Sequence, residues 1–101
     1  MSEFLRLYQS AVSPADVEEI KRLFADDVVP AFSGASGCLG IELAVNVEPN
    51  AGGLVEGTAI SRWKSLDDMA AALASREVRE ALVRIRQLLR QEPVSKVLQV
   101  L

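Results

Sequence analysis

Ile60-Ser61-Arg62-Trp63-Lys64-Ser65-Leu66-Asp67-Asp68 is where the chain changes period, and the change decides the fold. Upstream, Leu54 to Lys64 alternates as a strand does, with Leu54, Glu56, Thr58, Ile60 and Arg62 on one side and Val55, Gly57, Ala59, Ser61 and Trp63 on the other. Downstream, Ser65 is a helix N-cap and Asp68 occupies the acidic position of the first turn. Met69 and Leu73, then Val78, Leu82, Ile85 and Leu89, make an apolar stripe at helical spacing. The same frame occurs earlier, at Ser13-Pro14-Ala15-Asp16, 65 − 13 = 52 residues before. There Pro14 takes the first helical position, where a missing N–H is harmless. Val17, Ile20, Leu23, Phe24 and Val28 form the stripe, and Pro30 is expected to end or kink the helix.

Each helix sits between two strand-like runs. Phe4 to Val12 precedes the first, with Leu5 and Leu7 on one side and Phe4, Arg6, Tyr8 and Ser10 on the other. Cys38 to Val47 follows it, with Leu39, Ile41, Leu43, Val45 and Val47 alternating with Cys38, Gly40, Glu42, Ala44 and Asn46. Glu48 to Gly53 is a hairpin loop rich in turn residues. Val94 to Leu101, beyond Pro93, reads as the last strand, and Ser75 interrupts the second helix as a kink or a fresh N-cap. The order βαββαβ predicts an α+β, ferredoxin-like domain over residues 1–101: an antiparallel four-stranded sheet with two helices on one face. The other face is then bare. A bare apolar sheet face implies a partner, most simply a second copy, so a homodimer is expected.

Composition narrows the function classes. Half of the 101 residues are hydrophobic, but only Phe4, Tyr8, Phe24, Phe32 and Trp63 are aromatic. A net charge of −3 argues against nucleic acid as a partner. Arginines at 76, 79, 84, 86 and 90 sit among Glu77, Glu80 and Glu92, which reads as a solvated face with pairs such as Glu80 to Arg84. Arg79, Arg86 and Arg90 share a side and offer an alternative, a rim for an anionic ligand. The single cysteine, Cys38, cannot form an intramolecular disulfide and fits a reducing compartment. No apolar run is long enough to span a membrane, and no leader pattern starts at Met1, so a cytoplasmic location is expected. No spacing suggests a metal cage, and the chain has no histidine, which removes histidine acid–base chemistry. Asp27, at the edge of the first stripe, reads as a solvated helix-end carboxylate.

Gly37-Cys38-Leu39-Gly40, leading into an alternating strand, resembles the start of the second strand in the antibiotic biosynthesis monooxygenase (ABM) family. Ile60 to Asp68, with Trp63 at the strand end before a capped helix, resembles that family's strand-to-helix junction. The resemblance runs from about Phe4 to Leu101. It implies a dimeric α+β barrel, in which two sheets pair across a dimer interface, and it implies a range of activities: cofactor-free oxidation of aromatic polyketides, quinol oxidation and haem degradation. Haem-degrading members look to a histidine on the second helix, which this chain lacks, so no cofactor is expected. The resemblance also places Trp63 near a pocket between helices and sheet. Tyr8 falls roughly where haem-degrading relatives carry asparagine. Ala59 falls where polyketide monooxygenases carry asparagine.

The candidate site is therefore Trp63 and Tyr8 as catalytic groups, with Ser61, Phe24, Phe32, Met69 and Arg86 lining a substrate site. Each has an ordinary alternative. Trp63 would equally anchor the second helix in the core, Tyr8 would sit half-buried with its hydroxyl at the surface, and core is the default for Phe24, Phe32 and Met69. Gly57, Ala59 and Ser61 are small and share the side of Trp63, so the helices above them either pack close or leave a cavity. Two functions stay open: a cofactor-independent monooxygenase of a quinol- or anthrone-like aromatic, and a non-catalytic dimeric module that binds a small ligand or serves as a scaffold. Pocket volume beside Trp63 separates them.

Overall fold

The computed structural model describes residues 3–101; the reading at Met1 lies outside them. The chain runs β1 (Glu3–Val12), a 3₁₀ turn (Pro14–Asp16), α1 (Val17–Leu23), a π turn (Phe24–Val28), α2 (Val29–Ser33), β2 (Cys38–Val45), β3 (Val55–Trp63), α3 (Leu66–Ala74), α4 (Arg76–Arg86) and β4 (Val94–Val100). The four strands form one sheet in the order β2-β3-β1-β4, every pairing antiparallel. This is the ferredoxin-like arrangement expected from the doubled frame.

The caps behave as their residue types dictate. Ser65 Oγ accepts from the Asp68 amide at 3.0 Å. Ser13 Oγ accepts from Ala15 N at 3.4 Å, so the first helix opens as a 3₁₀ turn before widening. Ser75 is a fresh N-cap rather than a kink. Its Oγ accepts from Val78 N while its own backbone is extended, so the second helical stretch is two rods, α3 and α4. Pro30 does not end the first helix. The π turn immediately before it removes the need for a proline N–H donor, and the helix continues to Ser33. Helix α4 stops at Arg86, short of Leu89, which instead bridges to Val12 in an isolated antiparallel pair.

Strand β2 ends at Val45, and Val47 is fully exposed. A bulge between Cys38 and Gly40 changes its phase: Cys38 pairs with Trp63, but Gly40 pairs with Arg62. Cys38 therefore joins Ile41 and Leu43 against the core, and Leu39, expected on the Ile41 side, is turned out to solvent. Gly40, at φ 156°, absorbs the irregularity.

The core lies between the helices and one sheet face. Val12, Ile20, Leu23, Val28, Phe32, Trp63, Met69, Ala72, Val78, Ala81 and Ile85 are buried there. Arg84, assigned to Glu80 on sequence spacing, reaches Asp27 instead at 2.8 Å and ties α4 to the π turn; Glu80 pairs with Arg76. Asp27 is thus a helix-to-helix tie rather than a solvated carboxylate. Among the described residues no element covers the opposite sheet face. By alternation from the register it displays Leu5, Leu7, Ile60 and Leu98, and every residue of β4 is exposed.

Candidate functional site

The small residues of β3 leave a cavity. Gly57, Ala59 and Ser61 form its floor, with Tyr8 opposite Ala59 on β1 and Ile41 opposite Ser61 on β2. Ile20, Phe24, Val28 and Phe32 from the first helical stretch, with Leu82, Ile85 and Leu89 from the second, close it from above. Its volume is about 70 Å³, room for several waters, and its lining is almost wholly apolar. Among its lining residues there is no carboxylate.

Polar groups gather at one place. Tyr8 lines the cavity, and Arg86 Nε donates to its hydroxyl oxygen at 3.2 Å. Arg6, two residues before Tyr8 and so on the same face, stacks its guanidinium 5.0 Å from the Tyr8 ring centroid and reaches Ser95 Oγ at 3.4 Å. Burial lowers the Arg6 guanidinium below its ordinary pKa; Tyr8 opposes this, and the like charge of Arg86 adds to the lowering. The hydrogen bond to Tyr8 is the main cause that raises the Arg86 pKa, and the charge of Glu92 adds a little.

The residues singled out in the sequence divide into three groups. Tyr8, Ser61, Phe24 and Phe32 come together around the cavity. Arg86 touches Tyr8 from outside it. Trp63 and Met69 do not border it. Trp63 is completely buried, tilted at 55° against Phe32 with ring centroids 6.0 Å apart, and its indole N–H donates to Ser61 Oγ at 2.9 Å. The cavity begins on the far side of Ser61. Of the arginine rim, only Arg86 reaches this place: Arg79 lies exposed on α4, and Arg90 lies past the helix end, its amide bonded to Ala11 O. The charged lining residue, Arg6, was not anticipated. Its signal was its position two before Tyr8 on an alternating strand. Among the described residues no group of metal-ligating side chains assembles, and no helix is long and apolar enough to cross a membrane.

A ferredoxin-like sheet, helices over one face and an apolar cavity between them define a class of small α+β domains with an internal ligand space. Within that class the chain belongs to the antibiotic biosynthesis monooxygenase family, whose sequence profile matches residues 4–84. Solved structures agree in fold. A protein from Caulobacter crescentus provisionally described as an antibiotic biosynthesis monooxygenase superposes with a TM-score of 0.81 at 17% identity, covering 99% of this chain and 91% of that one. A similarly described protein from Bordetella bronchiseptica gives 0.79 at 18%, covering 100% and 99%. A conserved protein from Methanosarcina mazei gives 0.74 at 17%, covering 97% and 92%. Among curated proteins none matches.

Proposed function

We propose that this ABM-family protein is a cofactor-independent monooxygenase of an electron-rich aromatic, quinol- or anthrone-like, bound in the apolar cavity with its reacting oxygen at Tyr8. The observation that carries this reading is the cavity itself: apolar on its helical side, with the Tyr8 phenol and the Arg6 guanidinium together on its strand side. In such a reaction the substrate loses a proton and its electron-rich anion reduces dioxygen. A C–O bond forms to give a peroxide anion, which takes up a proton at its outer oxygen and becomes a hydroperoxide; its O–O bond then breaks as the proton on the same carbon leaves. This loss of water leaves the carbonyl, so one oxygen atom ends in product and one in water. The protein's task is to orient the ring, hold the developing oxyanion and exclude bulk water. Tyr8 and Arg86 stand where the oxyanion would form. Trp63 serves the site indirectly, by holding Ser61 at the cavity floor.

The bare sheet face supports a homodimer closed through Leu5, Leu7, Ile60 and Leu98. These four make an apolar stripe flanked by Gln9, Thr58, Arg62 and Lys96 on the same face, and such a stripe with a polar rim suits a partner surface.

The second reading, a non-catalytic ligand-binding dimer, draws on the cavity's lack of a carboxylate or imidazole to act as base and on the filled core around Trp63, which the cavity does not border. Dioxygen uptake by the purified protein with a panel of quinols and anthrones separates the two. Uptake above the uncatalysed rate that falls about tenfold or more in Tyr8→Phe is the expected result. Uptake no faster than in buffer for every compound moves the assignment to the binding module.

A further inference from the structure

The arginines of this chain divide by what they touch. Arg22, Arg62, Arg76 and Arg84 each reach a carboxylate: Glu19, Glu3, Glu80 and Asp27. Arg79 and Arg90 are exposed. Arg6, half-buried, and Arg86, exposed, also reach no carboxylate, but they differ from Arg79 and Arg90 in what they touch. They converge on one phenol, from β1 and from α4, and neither has an ion-pair partner among the described residues. Arg6 is moreover half-buried and lines the cavity. A guanidinium drawn out of water without a counter-charge is unfavourable, and a second one beside it is more so. Burial and the charge of Arg86 both lower the Arg6 pKa, which reports that cost. Glu92 is the acid that acts on Arg86, but it makes no ion pair with it. The Tyr8 hydroxyl accepts from Arg86 and keeps its own proton free to donate. Three donors of matching polarity thus stand at the mouth of an apolar space.

We infer that Arg6, Arg86 and Tyr8 form an anion subsite, and that the ligand is an amphipathic carboxylate whose apolar body enters the cavity and whose carboxylate sits between the two guanidinium groups. A carboxylate matches the planar fork of arginine and, bridging the two guanidinium groups, offsets one of their two charges and screens their mutual repulsion. The inference rests on the reading of the cavity as the substrate site, and it adds an acid group to the aromatic.

The test uses binding without turnover. Titration of the intact protein under nitrogen with 3-phenylpropanoate, and separately with 3-phenylpropanamide, is followed by calorimetry or by amide chemical shifts. The acid is expected to bind at least tenfold more tightly than the amide. Arg86→Gln, at an exposed position that leaves folding alone, is expected to remove most of that preference while leaving the amide within about twofold. Arg6→Gln, checked by circular dichroism, is expected to do the same, and Arg6→Lys to restore part of it. An acid that binds no better than its amide, or a preference that survives both glutamine substitutions, overturns the inference. Oxygen uptake is read separately. A charge preference without uptake leaves the anion subsite standing and removes the oxygenase reading; uptake on neutral quinols with no charge preference does the reverse.

Discussion

The indole N–H of Trp63 donates to Ser61 Oγ at 2.9 Å, two residues back on the same side of the same strand. Both side chains are buried, so neither polar group has water to turn to. Ser61→Ala leaves the indole N–H unsatisfied, at a cost of about 1–3 kcal/mol. Urea unfolding followed by the fluorescence of the single tryptophan reads this directly. An unchanged midpoint would show that another acceptor takes over.

Gly37 and Gly53 have nearly equal positive φ, 80° and 78°, but different surroundings. A Cβ on Gly37 would lie 2.2 Å from Asp68 Oδ2 and 2.5 Å from its Cβ, whereas one on Gly53 meets nothing within 4 Å. Gly53→Ala should cost only the left-handed backbone strain, about 1–2 kcal/mol. Gly37→Ala should cost clearly more, because the start of α3 must move. Equal melting temperatures for the two variants would contradict this.

Gly57 is the opposite case. Its φ is ordinary, and a Cβ there would make normal contacts with Ala44 O and Val45 Cγ1 at 3.5 Å. Gly57→Ala should leave stability unchanged or raise it by about 0.5–1 kcal/mol, while a methyl group on the cavity floor reduces ligand uptake. A variant that melts higher and binds quinols more weakly is the expected pair of results. Unaltered binding would place the ligand elsewhere.

The proposed dimer predicts a concentration-dependent melting temperature. Ile60→Asp, on the uncovered sheet face, should give a monomer by sedimentation while retaining its circular dichroism spectrum. A wild-type protein that sediments as a monomer at high concentration would rule the dimer out.

Glu19 and Glu80 both have carboxyl pKa values held below the ordinary 4.5, chiefly by hydrogen bonds from Arg22 and Arg76 respectively. A depressed carboxyl pKa stabilises the fold above the unfolded-state value, and the benefit disappears as pH falls through the folded-state value. The melting-temperature gap between the wild type and Glu80→Gln should therefore be present at neutral pH and close below pH 4.5. Because both groups are solvent-exposed, the gap should be small and should shrink in salt. A gap that widens on acidification would reverse the assignment.

Element order was legible because alternation and N-caps are local signals. Ser65 and Ser13 announce their helices, and the small side of β3 marks the cavity floor. Three features were not legible, each for a physical reason. The bulge at Cys38–Gly40 shifts phase through a backbone irregularity that alternation cannot register, so Leu39 was assigned to the wrong side. Arg84 has Glu80 at the right helical spacing, but the tertiary partner Asp27 competes for it and wins. Trp63 shares a face with the cavity floor, yet whether it borders the cavity depends on where Ser61 and Phe32 seal it off. Arg6 was visible as a neighbour of Tyr8, but its lack of a counter-ion is a property of the whole fold.

The π turn at Phe24–Val28 has a geometric consequence. Ile20, Phe24, Val28 and Phe32 all face the cavity at four-residue intervals. In an unbroken α-helix those twelve residues would carry Phe32 about a third of a turn away from the line of Ile20. The wide turn takes up much of that rotation. The roof of the cavity thus depends on one surplus residue, and Pro30 keeps it from being absorbed back into a regular helix. Removing a single residue there would tighten the helix and swing Phe32 off the cavity, with no core side chain deleted.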